Sequence, residues 1–132
     1  MKQKPEIWMV DDDELVGDLI QHAFLKENLS CQLINFGTGS ELLAHIENAS
    51  ELPALLLLDY YLLGQNGIEL FKVLQENPDV RAVKVVLFSD YLKSSIVRQA
   101  EEAGLYDVER KPSNFNEWRR FAKDLCLAGH FS

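Results

Sequence analysis

Residues 54–59 read ALLLLD, an unbroken apolar run that ends in a carboxylate. A short run of this kind, without alternating polar residues, is typical of a central strand in a parallel sheet, because helices cover both of its faces. The acid at its end, Asp59, would then lie at the carboxyl edge of the sheet. In open α/β sheets that edge carries the working crevice, so the run also indicates where to look for chemistry.

Apolar runs alternate with amphipathic stretches along the rest of the chain, and a predicted helix follows each predicted strand. Ser40 is predicted to cap the second helix, and Gly104 to end the fourth. Parallel strands joined by right-handed crossover helices form one open sheet. The pattern therefore predicts an α/β fold, a doubly wound (βα)5 single domain over residues 1–132 with a core at about residues 6–127. The four further strands are predicted at residues 6–10, 31–36, 83–88 and 106–109.

Composition restricts the class of protein. The chain has 132 residues, a length typical of one domain, and is 47% hydrophobic, enough to build a core. No apolar run approaches the ~20 residues of a membrane-spanning helix, and the first residues show no signal-peptide pattern. The net charge of −8 argues against binding to nucleic acid or to an anionic membrane. Cys31 and Cys126 form no C-x-x-C pair, so we expect reduced thiols, as in a cytoplasmic protein.

Polar side chains follow four of the five predicted strands, whose carboxyl ends share one edge. Carboxylates crowded at an edge repel one another, and a hard divalent cation such as Mg²⁺ relieves the repulsion because it prefers oxygen ligands. An aspartate between such an ion and a lysine is suited to attack phosphorus, with a hydroxyl to hold another oxygen. Asp13 is expected only to cap the first helix. The residues concerned are Asp11, Asp12 and Asp13 after the first strand, Asp59 after the third, Ser89 after the fourth, and Lys111 after the fifth.

These motifs resemble the receiver domain of two-component response regulators, in its single-domain, chemotaxis-regulator-like form. The resemblance covers nearly the whole chain, and it implies a flavodoxin-like sheet with the strand order 2-1-3-4-5. It is carried by Val10-Asp11-Asp12, by Leu57-Leu58-Asp59 with Gly67 downstream, by Phe88-Ser89, and by Lys111-Pro112.

The resemblance implies a role for each site residue. Asp59 would accept a phosphoryl group, while Ser89 and Lys111 would contact the oxygens of that group. In many relatives the Lys111–Pro112 peptide is cis. Magnesium, the implied cofactor, would be held by Asp12, Asp59 and the backbone carbonyl of Tyr61, and through water by Asp11.

The resemblance also implies partners. The phosphoryl donor would be a phosphohistidine on a sensor histidine kinase or on a histidine phosphotransfer protein. The domain would catalyse only its own phosphotransfer and autodephosphorylation, so it is not otherwise an enzyme. Its output would be contacts with a downstream protein target or onward phosphotransfer, in the cytoplasm, with no direct nucleic-acid partner and no membrane.

Three positions depart from the family's pattern. Leu63 stands where proline is usual, Asp90 where a small residue is usual, and Val108 where an aromatic ring normally swings inward. Tyr106, two residues before Val108, is a candidate to replace that ring. A pseudo-receiver, which binds proteins but is never phosphorylated, therefore stays open as the alternative. A flavodoxin-like cofactor binder fits less well, because three acids after the first strand would repel a bound phosphate.

Overall fold

The computed structural model describes residues 4–130. In this part of the chain five parallel strands form one sheet in the order β2-β1-β3-β4-β5, which confirms the predicted fold class and strand order. The strands are β1 Glu6–Val10, β2 Gln32–Phe36, β3 Leu55–Asp59, β4 Lys84–Ser89 and β5 Asp107–Arg110. The helices are α1 Glu14–Lys26, α2 Gly39–Asn48, α3 Gly67–Leu74, α4 Ser94–Ala103 and α5 Phe115–His130.

The sheet is the middle of three layers. Alternate residues of a strand point to opposite faces, so Leu55 and Leu57 of β3 pack with α1 and α5, while Leu56 and Leu58 pack with α2, α3 and α4. All five residues of β3 are buried, as the unbroken apolar run predicts. The acid that ends this strand is therefore held by the most enclosed element of the fold.

The ends of the elements differ in detail from the sequence predictions. Thr38, not Ser40, caps α2, since its hydroxyl accepts a hydrogen bond from the Glu41 N–H at 3.1 Å and Ser40 already lies in the first turn. Gly104 ends α4 in the left-handed region, as predicted, with φ of 90°. The last helix runs to His130, past the predicted end of the core. None of the helices described has both the length and the apolarity needed to cross a bilayer.

The expectation of reduced thiols is wrong, because Cys31 and Cys126 form a disulfide. Their Cα atoms lie 5.8 Å apart although 95 residues separate them in sequence. Both belong to the core between the sheet and the α1–α5 layer, and only the folded sheet brings the residue before the edge strand β2 beside the last helix. The bond joins α5 covalently to the segment before β2.

Reduction of this disulfide should destabilise the protein. Closing a loop of this length removes conformational freedom from the unfolded chain, and loss of such a bond typically costs about 2–4 kcal/mol. We expect dithiothreitol to lower the urea midpoint accordingly, whereas the Cys31→Ser/Cys126→Ser variant should unfold at one midpoint with or without reductant. Identical transitions of the parent in both conditions would contradict the assignment.

Gly67 holds the start of α3 against the end of β3. A Cβ at this position would lie 2.5 Å from the backbone oxygen of Asp59 and 2.7 Å from a methyl group of Leu87. Asn66 and Glu69 form a reciprocal capping box around the same turn, which holds the first turn of α3 in place beside β3. The absence of a side chain at Gly67 thus allows the close approach that fixes Asp59.

Gly67→Ala should therefore displace the backbone of Asp59 and destabilise the domain. Overpacking of this kind costs about 1–3 kcal/mol. Gly37→Ala is the matched control, because a Cβ there meets nothing nearer than 3.8 Å, and its effect should stay within about 0.5 kcal/mol. Equal urea midpoints for the two variants would show that the contact at Gly67 is not tight.

Candidate functional site

Two acids and a lysine meet at the carboxyl edge of the sheet. The Nζ atom of Lys111 lies 3.0 Å from Oδ2 of Asp11 and 3.4 Å from Oδ1 of Asp59. Asp11 is 1% exposed and Asp59 3% exposed, and the lysine side chain is 8% exposed. The structure therefore brings together residues that are distant in sequence, in a setting nearly closed to water.

The loop after β1 positions its three acids differently. The Asp11 N–H donates to the carbonyl of Phe36 on β2, and Oδ1 of Asp11 accepts from the Asp13 N–H at 2.9 Å. This turns Asp11 inward under the loop, while Asp12 stays exposed. Asp13 caps α1 by accepting from the Leu15 N–H, which agrees with its predicted role.

The loop after β3 holds the carboxylate of Asp59 from the other side. The Tyr61 N–H donates to Oδ1 of Asp59 at 3.3 Å. The Tyr60 N–H donates to the carbonyl of Phe88, which ties this loop to β4. The Tyr61 ring is 47% exposed at the mouth of the site. Oδ1 of Asp59 is thus engaged by both the lysine and a backbone amide.

Ser89 lies fully buried at the end of β4, the strand next to Asp59. Its Oγ accepts from the Tyr91 N–H at 3.2 Å. Its carbonyl accepts from the Lys111 N–H at 2.8 Å, so the serine and the lysine are neighbours across the β4–β5 edge. Among the residues described no peptide bond is cis, so Lys111–Pro112 is trans in this structure.

The site is electrostatically strained. Burial raises the pKa of the Asp59 carboxyl to about 6, and repulsion from Asp11 adds to the rise against the opposing pull of Lys111. Burial likewise raises the pKa of Asp11. Burial alone would lower the pKa of Lys111, but the carboxylates of Asp11, Asp59 and Asp90 outweigh it and raise that pKa. One ammonium does not neutralise the buried acids, so the site favours a further cation.

The donor atoms fit a hard divalent ion. Carboxylate oxygens of Asp11, Asp12 and Asp59 all lie within 4.8 Å of one another. Oδ2 of Asp11 is buried, and the Lys111 ammonium at 3.0 Å is the group that pairs with it. A few carboxylate ligands beside an exposed side are typical of Mg²⁺, which keeps several waters. The residues present therefore fit the implied metal.

The three unusual positions lie around this core of the site. Leu63 is 80% exposed in the loop after β3, and Asp90 is exposed after Ser89. Val108 is partly buried against the α2–α4 side of the sheet. The Tyr106 N–H donates to the carbonyl of Val85, and its ring lies 5.1 Å from Nζ of Lys84.

Tyr106 therefore does not stand in for the missing ring in this structure. It precedes β5, whereas the sequence prediction began the strand at this residue. Lys84 begins β4 and Ser89 ends it, and at about 3.3 Å per residue the two lie at opposite ends of the strand. The ring of Tyr106 is thus packed away from the acids.

Sequence reasoning gave Phe88 no role, yet it forms the floor beneath the lysine. Nζ of Lys111 lies 4.8 Å from the centroid of its ring, a cation–π distance. Phe88 is fully buried and pairs in register with Asp59. The only feature of the sequence that could have singled out Phe88 is its position directly before Ser89. Adjacency in sequence does not indicate which side chain lies under the ammonium.

Comparison with known proteins agrees with this geometry. A family model for the response regulator receiver domain matches residues 7–122. NtrC of Salmonella typhimurium, a DNA-binding transcriptional regulator, is 28% identical over 115 residues, which are 87% of this chain and 23% of NtrC. The chain thus spans about a quarter of the length of that curated relative.

Solved structures share the fold at low sequence identity. The phosphorylated cyanobacterial phytochrome response regulator RcpA superposes with a TM-score of 0.81 at 20% identity, covering 92% of this chain and 90% of RcpA. The Mn²⁺-bound form of the response regulator Rcp1 gives 0.79 at 21% identity, covering 92% and 91%. Because the family model covers most of the sequence, the chain belongs to the response regulator receiver domains, the signalling modules of two-component systems that take up a phosphoryl group on an aspartate.

Proposed function

We propose that this chain is a phospho-accepting switch in which Asp59 takes a phosphoryl group from a partner phosphohistidine in a Mg²⁺-dependent reaction. The observation that carries the proposal is the position of Asp59, buried 3.4 Å from the Lys111 ammonium and inside a cluster of three carboxylates. The donor is a sensor histidine kinase or a histidine phosphotransfer protein. The phosphorylated form of RcpA supports the proposal by similarity.

Each side chain has a defined task in the transfer. Oδ1 of Asp59 is occupied by Lys111 and the Tyr61 N–H, so we assign the attack on phosphorus to Oδ2. The new oxygen–phosphorus bond forms as the bond to the donor's imidazole nitrogen breaks, and the imidazole leaves with the electron pair. Lys111 neutralises charge on the transferring oxygens, and the hydroxyl of Ser89 donates to another of them.

Magnesium would be held by Asp12, Asp59 and the backbone carbonyl of Tyr61, with Asp11 reaching it through water, and would neutralise phosphoryl oxygens. The Mn²⁺-bound form of Rcp1 supports a divalent ion in such a site by similarity. Asp11 has a second task that needs no metal. Its Oδ2 holds the Lys111 ammonium at 3.0 Å and so keeps the lysine aimed across the site.

We expect the output of the domain to be an interaction with another protein. We infer that residues 1–132 form one receiver domain that catalyses only its own phosphotransfer and dephosphorylation. We expect the phosphorylated form to bind a downstream target or to pass the group onward, without direct nucleic-acid or membrane contact. A cytoplasmic location stays a prediction, and the paired Cys31 and Cys126 remove the support that reduced thiols would give it.

The second candidate is a pseudo-receiver that binds proteins without phosphorylation. It is favoured by the absence of a ring at Val108 and by the exposed Leu63 and Asp90 at the mouth of the site. The complete set of acceptor, acids, hydroxyl and lysine favours the first candidate, because a module that never reacts has no need to bury two mutually repelling acids.

Acetyl phosphate with Mg²⁺ should add one phosphoryl group to the parent protein. The gain should vanish in Asp59→Asn, which has no nucleophilic oxygen of this kind, and in excess EDTA. Intact mass spectrometry measures both. Asp13→Asn is the matched control. It removes a charge from the loop after β1, but Asp13 only caps α1. A parent without a mass gain would contradict the proposal in favour of a pseudo-receiver. A gain retained in Asp59→Asn would contradict it by placing the phosphoryl group on another residue.

The raised pKa of Asp59 predicts how stability depends on pH without metal. Its folded pKa of about 6 exceeds its ordinary value of 3.8, so the ionised form destabilises the fold. The penalty is absent below about pH 4, grows as the pH rises to about 6, and is complete above that. In EDTA, Asp59→Asn should therefore gain on the order of 3 kcal/mol at pH 7.5 and almost nothing at pH 3.5.

Urea unfolding across this pH range measures the gain. Asp18→Asn on the exposed face of α1 removes the same charge without relieving burial, so its midpoint should follow the parent at every pH. A gain for Asp59→Asn that is constant with pH would indicate a cause other than ionisation of the carboxyl.

A further inference from the structure

A row of aromatic side chains in contact with one another connects the site to the last helix. Phe88 lies under Nζ of Lys111 at 4.8 Å, and its other neighbour is Phe121 of α5. The two phenylalanine rings are parallel within 7°, with centroids 6.1 Å apart. Trp118 meets Phe121 edge to face at 5.7 Å. We call Phe88, Phe121 and Trp118 the aromatic ladder.

The members of the ladder differ in their freedom to move. Phe88 is fully buried in β4 and Trp118 is 6% exposed in the core. Phe121 is only partly buried, and beside it lies a cavity of about 360 Å³ that Lys111, Arg120 and Asp124 also line. Tightly packed rings have few alternative positions, so Phe121 is the member with room for a second arrangement.

The helix that carries the ladder is itself anchored. Cys126 joins it covalently to Cys31, and Nε of Arg119 lies 2.6 Å from Oε1 of Glu27 at the end of α1. A rigid shift of α5 would break these ties. A ring rotation at Phe121 would leave them intact, so a change at the site reaches α5 most easily through side chains.

Phosphorylation of Asp59 would change the contact between the Lys111 ammonium and the Phe88 ring. A phosphoryl group adds about −1.5 to −2 charge, and the ammonium that now pairs with Asp11 and Asp59 would turn towards the new oxygens. The face of Phe88 would then lose the cation that lies over it. Because Phe121 stacks on Phe88, the change alters the surface against which its ring rests.

We propose that phosphorylation of Asp59 changes the position of the Phe121 ring through Phe88 and so changes the surface of α5. This coupling takes the place of the aromatic switch residue, which is valine at position 108 in this chain. This rests on the proposed function, since it requires a phosphoryl group on Asp59. The reporting surface is the wall of the cavity formed by Arg120 and Asp124, beside Phe121. Both side chains are charged, so movement of the ring changes what a partner meets there.

Fluorine NMR of the whole chain labelled with 5-fluorotryptophan tests the inference. The sequence has two tryptophans, and Trp8 lies on the opposite face of the sheet in the α2–α4 side of the core. Beryllofluoride with Mg²⁺ mimics the aspartyl phosphate, and its bound fluorines give resonances of their own. We expect the Trp118 resonance to shift by more than its line width on binding, while the Trp8 resonance stays in place.

Variants of α5 separate the ladder from general packing. Phe121→Leu should abolish the Trp118 shift while bound beryllofluoride and the Trp8 resonance persist, which also shows that the variant is folded. Phe121→Tyr keeps a ring and should restore the shift. Phe115→Leu is the matched control, because Phe115 lies on the same helix but packs on His22 outside the ladder, and it should respond like the parent.

The outcomes distinguish the two proposals. Bound beryllofluoride without a Trp118 shift in the parent, or a shift that survives in Phe121→Leu, would overturn the role of Phe121 and leave the acceptor chemistry standing. No bound beryllofluoride in the parent would contradict the proposed function itself, and the inference that rests on it.

Discussion

The burial of two carboxylates against one ammonium is the constraint on which this structure depends. Asp11 and Asp59 both face Lys111, and both have raised pKa values because burial penalises their charge. Such a cluster is stable only where a rigid frame prevents the acids from separating. β3, buried along its whole length, provides that frame for Asp59. The cost to folding leaves the site ready to accept positive charge.

The doubly wound topology explains why these groups meet. β1 and β3 are neighbours at the centre of the sheet, and their carboxyl ends open at the same edge where the strand order reverses. Short backbone contacts then fix the loops that follow. Gly67 rests against the Asp59 carbonyl, and the Tyr61 N–H reaches its side chain. The distances within the site are therefore set by the strand ends together with the backbone contacts that hold the short loops against them.

The input and the output of the domain are constrained differently. Asp59, which we propose as the acceptor, is nearly enclosed together with Lys111 and Ser89, so the geometry of these side chains tolerates little change. The proposed readout depends on Phe121, which is only partly buried and lies beside a cavity. With valine at position 108 and Tyr106 packed on Lys84, the ring that meets the ammonium is Phe88 of β4, and Phe121 of α5 stacks on that ring.

The sequence by itself determined the sheet, and the family resemblance of its motifs implied the strand order that the structure has. It also singled out Asp59 as the acceptor, which stays a prediction. The run at residues 54–59 is typical of a covered strand, and the polar residues that follow parallel strands share one edge of the sheet. Prediction from the sequence failed for four features: the Cys31–Cys126 bond, the cap at Thr38, the position of Tyr106, and Phe88 beneath the lysine. The cap is a local choice between two nearby hydroxyls, Thr38 and Ser40, that residue type does not decide. The other three depend on distances between elements that are remote in the chain, which periodicity and spacing do not encode. Only the tertiary structure decided them, because packing between layers selects which side chains touch.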